Sequence, residues 1–273
     1  MKLLTAATCL AGTVCCVTLQ AAFLPILHLD SKSVKIFDAY VDKFEREVLK
    51  PYTDSGRLWI DGSSCCTNAA FTSGKLVVEA RTNDDIDGGS IHHFSGAMHL
   101  NGAKIEDMRR IMEDYPSYPV NFGPDVTKAE GKLLPDSTPG DDHFQARLAI
   151  SEKTVFMNVN FETMYDTHYK SLDDHRWMSK SFATSLKEVK DVHDPSKGFY
   201  PEGDDHGFLW RTNTYWFARA AGGGLDLQVD SITLSRTNVP GFTWFGAKRS
   251  HDAVEKMLRD ARTAIGALHH PAK

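Results

Sequence analysis

Apolar and polar positions along this chain change period several times, and the changes divide it into elements. Ser33 can cap a helix whose apolar positions Val34, Phe37, Val41, Phe44 and Val48 recur at steps of three and four, ending before Pro51. Leu76 to Arg81 and Ser90 to Leu100 alternate as strands, joined by a polar turn from Asn83 to Gly89. Asn101 can cap a second helix that turns Ile105, Met108, Ile111 and Met112 inward and stops at Tyr115-Pro116.

Beyond it the period falls to two. Strands are predicted near Asp125–Leu134, His143–Ile150, Thr154–Tyr165, Trp177–Lys190, Phe208–Ala220 and Leu225–Arg236. Breakers fall at Ser151-Glu152-Lys153, at Ser171 to His175 and at Gly222-Gly223-Gly224. Ser250 then opens a closing helix with Val254, Met257, Leu258, Ala261, Ile265 and Leu268 on one stripe. The order helix, hairpin, helix, meander, helix describes an α+β protein dominated by antiparallel sheet.

The N-terminus reads as an export signal. Met1-Lys2 is a short positive start, Leu3 to Leu19 an apolar stretch, and Gln20-Ala21-Ala22 a small-residue cleavage site, so residues 1–22 are assigned to a signal peptide. Leu19 departs from the cleavage pattern, and a retained anchor is the competing reading. Residues 23–273 form one domain with a helical extension at about 33–50, because no linker or low-complexity tract divides them. The expected location is periplasmic or secreted.

Of five cysteines, Cys9, Cys15 and Cys16 leave with the signal. Cys65 and Cys66 are adjacent, so a disulfide between them would be strained, and no disulfide framework supports the fold. A net charge of −5 without a basic stripe argues against nucleic acid as a partner.

Four stretches together carry a resemblance. They are Gly89-Ser90-Ile91-His92-His93-Phe94, the helix end Glu113-Asp114-Tyr115, His206-Gly207-Phe208-Leu209-Trp210-Arg211, and Ser231-Ile232-Thr233-Leu234-Ser235-Arg236. The chain, over roughly 74–268, resembles a bacterial family of secreted START-like proteins in the helix-grip superfamily, which also holds polyketide cyclases and lipid-transfer domains. The resemblance implies a curved antiparallel sheet of about seven strands wrapped on a long C-terminal helix around a cavity for hydrophobic ligands. It brings no catalytic residue onto a position here, and fold alone does not choose between binder and enzyme.

Asp-Asp-His occurs three times, at Asp141, Asp173 and Asp204. Carboxylates and imidazoles suit transition metals, but alternating strand directions put the first two copies at one end of the sheet and the third at the other. All three also fall in turns, so neither a metal nor a cofactor is expected. Gly222-Gly223-Gly224 joins two strands and reads as a hairpin turn, not a phosphate cradle.

Polar residues within apolar strands are the stronger site signal. Alternation places Arg211, Asn213 and Tyr215 on one face of a strand, and Asn158, Asn160 and Glu162 on one face of another. They either orient a mostly apolar ligand or form a solvent-facing sheet surface. His92 and His93 point to opposite faces, one of them facing the cavity as an acid or base or both serving structure. Tyr118 belongs to an aromatic loop at a cavity mouth. These nine residues are the candidate site. The function expected is binding of a hydrophobic small molecule or lipid, with peripheral membrane contact compatible with such cargo. A cyclase- or hydratase-type enzyme and a structural protein with a filled cavity are the alternatives.

Overall fold

The computed structural model describes residues 25–62, 71, 73–153, 158–236 and 243–270. The expected signal segment, Cys65 and Cys66 lie outside the described residues. Eight strands make one antiparallel sheet: β2 (Val77–Ile86), β3 (Gly89–Asn101), β4 (Val126–Leu133), β5 (Asp141–Lys153), β6 (Asn158–Asp173), β7 (Arg176–Glu188), β9 (Arg211–Ala221) and β10 (Gly224–Ser235). Their spatial order is β2-β3-β10-β9-β7-β6-β5-β4, one strand more than the resemblance implies. A separate two-residue ribbon pairs β1 (Leu27–His28) with β8 (Asp204–Asp205).

The helices are α1 (Ser31–Phe44), α2 (Lys50–Ser55), α3 (Ile105–Glu113), α4 (Tyr118–Asn121) and α5 (Thr243–His269). No helix among the described residues is long and apolar enough to cross a membrane. The concave sheet face takes α5 and α3 through Phe94, Met98, Trp216, Leu225, Leu227 and Val229, packed with Val254, Leu258 and Ile265. The convex face of β3, β10 and β9 is sealed by α1 and α2 through Phe37, Phe44, Tyr52, Tyr215, Phe217 and Ile232. Strand β3 is therefore buried on both faces from Gly89 to Leu100.

Several element boundaries differ from the pattern. The first helix does not end before Pro51: a π-turn, Glu45–Leu49, places Lys50 N–H on Glu45 O, and the chain runs on helically to Ser55. Proline lacks a donor and crowds the carbonyl four residues back, and the wider π-turn relieves that crowding. The polar run Asn83 to Asp85 is strand, paired with His92, Ile91 and Ser90, so the hairpin turn shrinks to Asp87-Gly88. Lys104, not Asn101, stands at the N-cap of α3, and its backbone N–H donates to Asp107 Oδ2 at 2.8 Å. Strand β5 likewise runs through Ser151 to Lys153, and the closing helix begins at Thr243, ahead of Ser250.

Candidate functional site

A cavity of about 390 Å³ lies between the concave sheet face and α5, within the roughly 300–1,000 Å³ typical of small-molecule sites. One part of its wall is apolar and aromatic: Met112, Tyr115, Tyr118, Ala146, Tyr169 and Trp216. The tyrosine hydroxyls there are turned on one another and on the backbone. Tyr115 meets Tyr169 at 2.7 Å, and both Tyr118 and Tyr169 donate to Met112 O at 2.6 and 2.7 Å. Burial pushes the Tyr115 phenol up to about 12 and raises the other two well above the ordinary tyrosine value, so all three stay neutral.

Cross-strand register builds the polar part. Ser231 faces Thr214, Thr214 faces Ser181, and Ser181 faces Thr167, giving a row of four hydroxyls across β10, β9, β7 and β6. The next row along the strands is His92, Thr233 and Thr212. Such a band gives a ligand hydrogen-bonding partners without placing a formal charge in the cavity.

At its end stand His92 and Arg236. His92 is buried, with Nδ1 on Asn83 Oδ1 and Nε2 3.1 Å from Ser235 Oγ. Burial lowers its pKa, which favours the neutral ring. Arg236 donates from Nη1 to His206 O at 3.1 Å, while its buried Nε has no partner among the described residues. Burial also works against the charge of this guanidinium. The flank along α5 opens to solvent at exposed Ala253, with Arg249, Lys256 and Met257 partly exposed beside it. Arg249 pairs there with Glu152, and Lys256 with Asp260 at 2.6 Å.

Of the nine candidate residues, His92 and Tyr118 line this cavity. The other seven lie on the convex face, which corrects the expectation that their strand faces line it. Tyr215 donates to Glu45 at 2.8 Å, Asn213 reaches Tyr215, and Lys180 pairs with the same Glu45 at 2.6 Å, so this group anchors the first helical arm. His93 Nδ1 is hydrogen-bonded to the Tyr40 hydroxyl at 2.8 Å, and its Nε2 donates to Asp230 at 3.0 Å under α1. Arg211 donates to Trp210 O at 2.8 Å and lies 3.8 Å from Glu202. Glu162 pairs with Arg147 on the convex surface, Asn158 meets Ser151 Oγ at 3.4 Å, and Asn160 carries a buried Oδ1 without a partner among the described residues.

Period-two alternation separates two faces without saying which one is concave. The true polar lining is threonine and serine on strands, residues that read there as ordinary sheet formers. The signal that could have found them is register, since Thr167, Ser181, Thr214 and Ser231 line up only once the strands are paired. Asp141 and Asp173 do share one end of the sheet, whereas Asp204 lies apart from them in the ribbon with β1.

No family model and no curated protein matches the chain. Solved structures similar to it include a STAR-related lipid transfer protein fragment from Xanthomonas axonopodis (16% identity, 68% of this chain and 98% of that one, TM-score 0.44). Human STARD10 is similar at 12% identity, over 80% and 84% of the two chains, with TM-score 0.42. The Zhui aromatase/cyclase of a Streptomyces species is similar at 10% identity, over 66% and 97%, with TM-score 0.39. The strand order and the long helix α5 closing the concave face are those of a START-like, helix-grip α+β fold.

Proposed function

We propose that this protein binds an apolar small molecule or lipid with a polar head in the cavity under α5, and carries it without chemistry. The observation behind this reading is the division of the cavity wall into an aromatic part and a hydroxyl band that ends at Arg236. The apolar body of an amphiphile would occupy the aromatic part, and its head would meet hydroxyls and the unpartnered Nε. Enzyme chemistry is the weaker reading. Of the lining side chains His92 is the one imidazole, both its nitrogens already have partners, and the carboxylates Asp125, Glu152 and Asp260 are paired with cations at the open flank.

Mass spectrometry of organic extracts from natively purified protein tests the reading. A stoichiometric amphiphile that disappears in Thr214→Trp, which fills the hydroxyl row, supports it. Extracts without ligand, together with no displacement of a polyene fatty-acid probe, would overturn it. We further propose that the chain works outside the cytoplasm after loss of residues 1–22. Intact-mass measurement of exported protein should give a start near Ala22 or Phe23, and retention of Met1 to Leu19 would refute this.

A further inference from the structure

The convex face of β5 and β6, away from the cavity and uncovered by any described helix, carries two imidazoles and a carboxylate aimed at one another. His143 and His168 are direct cross-strand partners, and their rings stack at 4.1 Å between centroids with 13° between planes. Both Nε2 atoms turn to the same oxygen, Asp166 Oδ1, at 3.1 Å from His143 and 3.7 Å from His168. One donor atom from each of the three residues lies within 4.8 Å of the others. A tetrahedral zinc with bonds of about 2.1 Å sets its donors roughly 3.4 Å apart, so small side-chain rotations close the set.

Groups behind the imidazoles fit the same chemistry. His143 Nδ1 is 2.9 Å from the Asp136 carboxylate, and His168 Nδ1 is 3.1 Å from Asp141. A carboxylate on the far nitrogen is what orients a metal-bound histidine and raises its basicity. Charge agrees: the carboxylates Asp136, Asp141 and Asp166 gather here, and the ammonium in contact with them is Lys170, 3.1 Å from Asp141. Exposure of the side chains, 12% for His143, 30% for Asp166 and 40% for His168, leaves the cluster reachable from solvent.

We propose that His143, Asp166 and His168 bind a divalent transition cation of the zinc type, with Asp136 and Asp141 as orienting carboxylates. Three protein donors leave at least one coordination position for water or a further ligand. The bland account is a cross-strand set of ion pairs, and the two accounts part on metal titration. Neither rests on cavity binding.

The full chain, without a histidine tag, should be titrated with zinc chloride by calorimetry. One zinc per chain is expected. His143→Ala, His168→Ala and Asp166→Asn should each weaken binding at least tenfold, and Asp141→Asn by about 10–100-fold. His251→Ala, in the other His/Asp/Glu cluster among the described residues, should change nothing. Cobalt substitution should give a visible absorption band that His143→Ala removes. Metal-free melting of each variant separates lost ligands from lost folding, and His143→Gln replaces His143→Ala if the latter unfolds. Absence of saturable zinc binding in the parent chain overturns the proposal. So does binding that survives both histidine substitutions in folded protein.

Discussion

The grip of α5 on the sheet turns on one glycine, and adding a methyl group there gives a quantitative test. A Cβ at Gly96 of β3 would lie 2.6 Å from Val254 Cγ1 and 2.7 Å from Leu258 Cδ1. Both partners are wholly buried, so neither side chain has free space into which to retreat. Overpacking of this kind costs about 1–3 kcal/mol, or roughly 2–12 °C in melting temperature for a domain of this size. Leu258→Ala alone leaves a cavity and should cost about 2–5 kcal/mol. The double variant removes the Leu258 atom that the new methyl strikes and refills part of the void. Its cost should therefore fall below the sum of the two by roughly 0.5–3 kcal/mol. Equilibrium urea denaturation followed by circular dichroism measures all four states. Additive costs, or a neutral Gly96→Ala, would show that α5 does not press on β3 at this point and would refute the packing described.

Two further outcomes are expected. Burial pushes the Asp205 carboxyl up to about 6 from an ordinary 3.8, so between these values the native state holds a proton that the unfolded chain has released. Stability should then be full below pH 3.8 and fall by up to about 3 kcal/mol as pH rises through 6. Asp205→Asn keeps an acceptor for Gly207 N and Trp210 Nε1 and should flatten this profile in pH-dependent urea unfolding, whereas an equal slope in both proteins would refute the assignment. Arg236→Met should weaken an anionic amphiphile at least tenfold in a fluorescent-probe displacement assay while leaving a neutral analogue unaffected. Equal losses for both would place Arg236 outside the head-group site.

Much of the fold was legible because long periods leave little choice. The stripe Val254, Leu258, Ala261 and Ile265 is buried as its spacing requires, and each predicted strand from Asp125 onward has a counterpart. Boundaries failed where a local device overrode a breaker, as at Pro51, where a π-turn carries the helix past a proline. The site was less legible. Arg211, Asn213 and Tyr215 stood out as polar interruptions, yet that face meets another element of the same chain, since Tyr215 is fully buried against Glu45. Burial beneath α1 makes the same demand for paired polar groups as a ligand does, so polarity alone could not separate the two.

The two faces can be separated by what each loses on mutation, and Asp230 is the residue for the convex one. It is 1% exposed, accepts from His93 at 3.0 Å and from Gln228 at 2.6 Å, and is bonded by Ser95 as well. His93 in turn holds Tyr40 of α1, so this carboxylate organises the contact between the helical arm and the sheet. Removing one member of a buried, hydrogen-bonded pair costs about 3–5 kcal/mol, because the remaining polar groups keep their desolvation without a partner. Asp230→Ala should therefore lower stability by that amount in urea unfolding. Its Cα register neighbours Ser95 and Tyr215 belong to the convex face, so ligand occupancy per folded molecule should not change. Arg236→Met should do the reverse and lose an acidic ligand with little loss of stability. If Asp230→Ala instead empties a still-folded protein of its ligand, the convex network reaches into the cavity, and the assignment of the two faces fails.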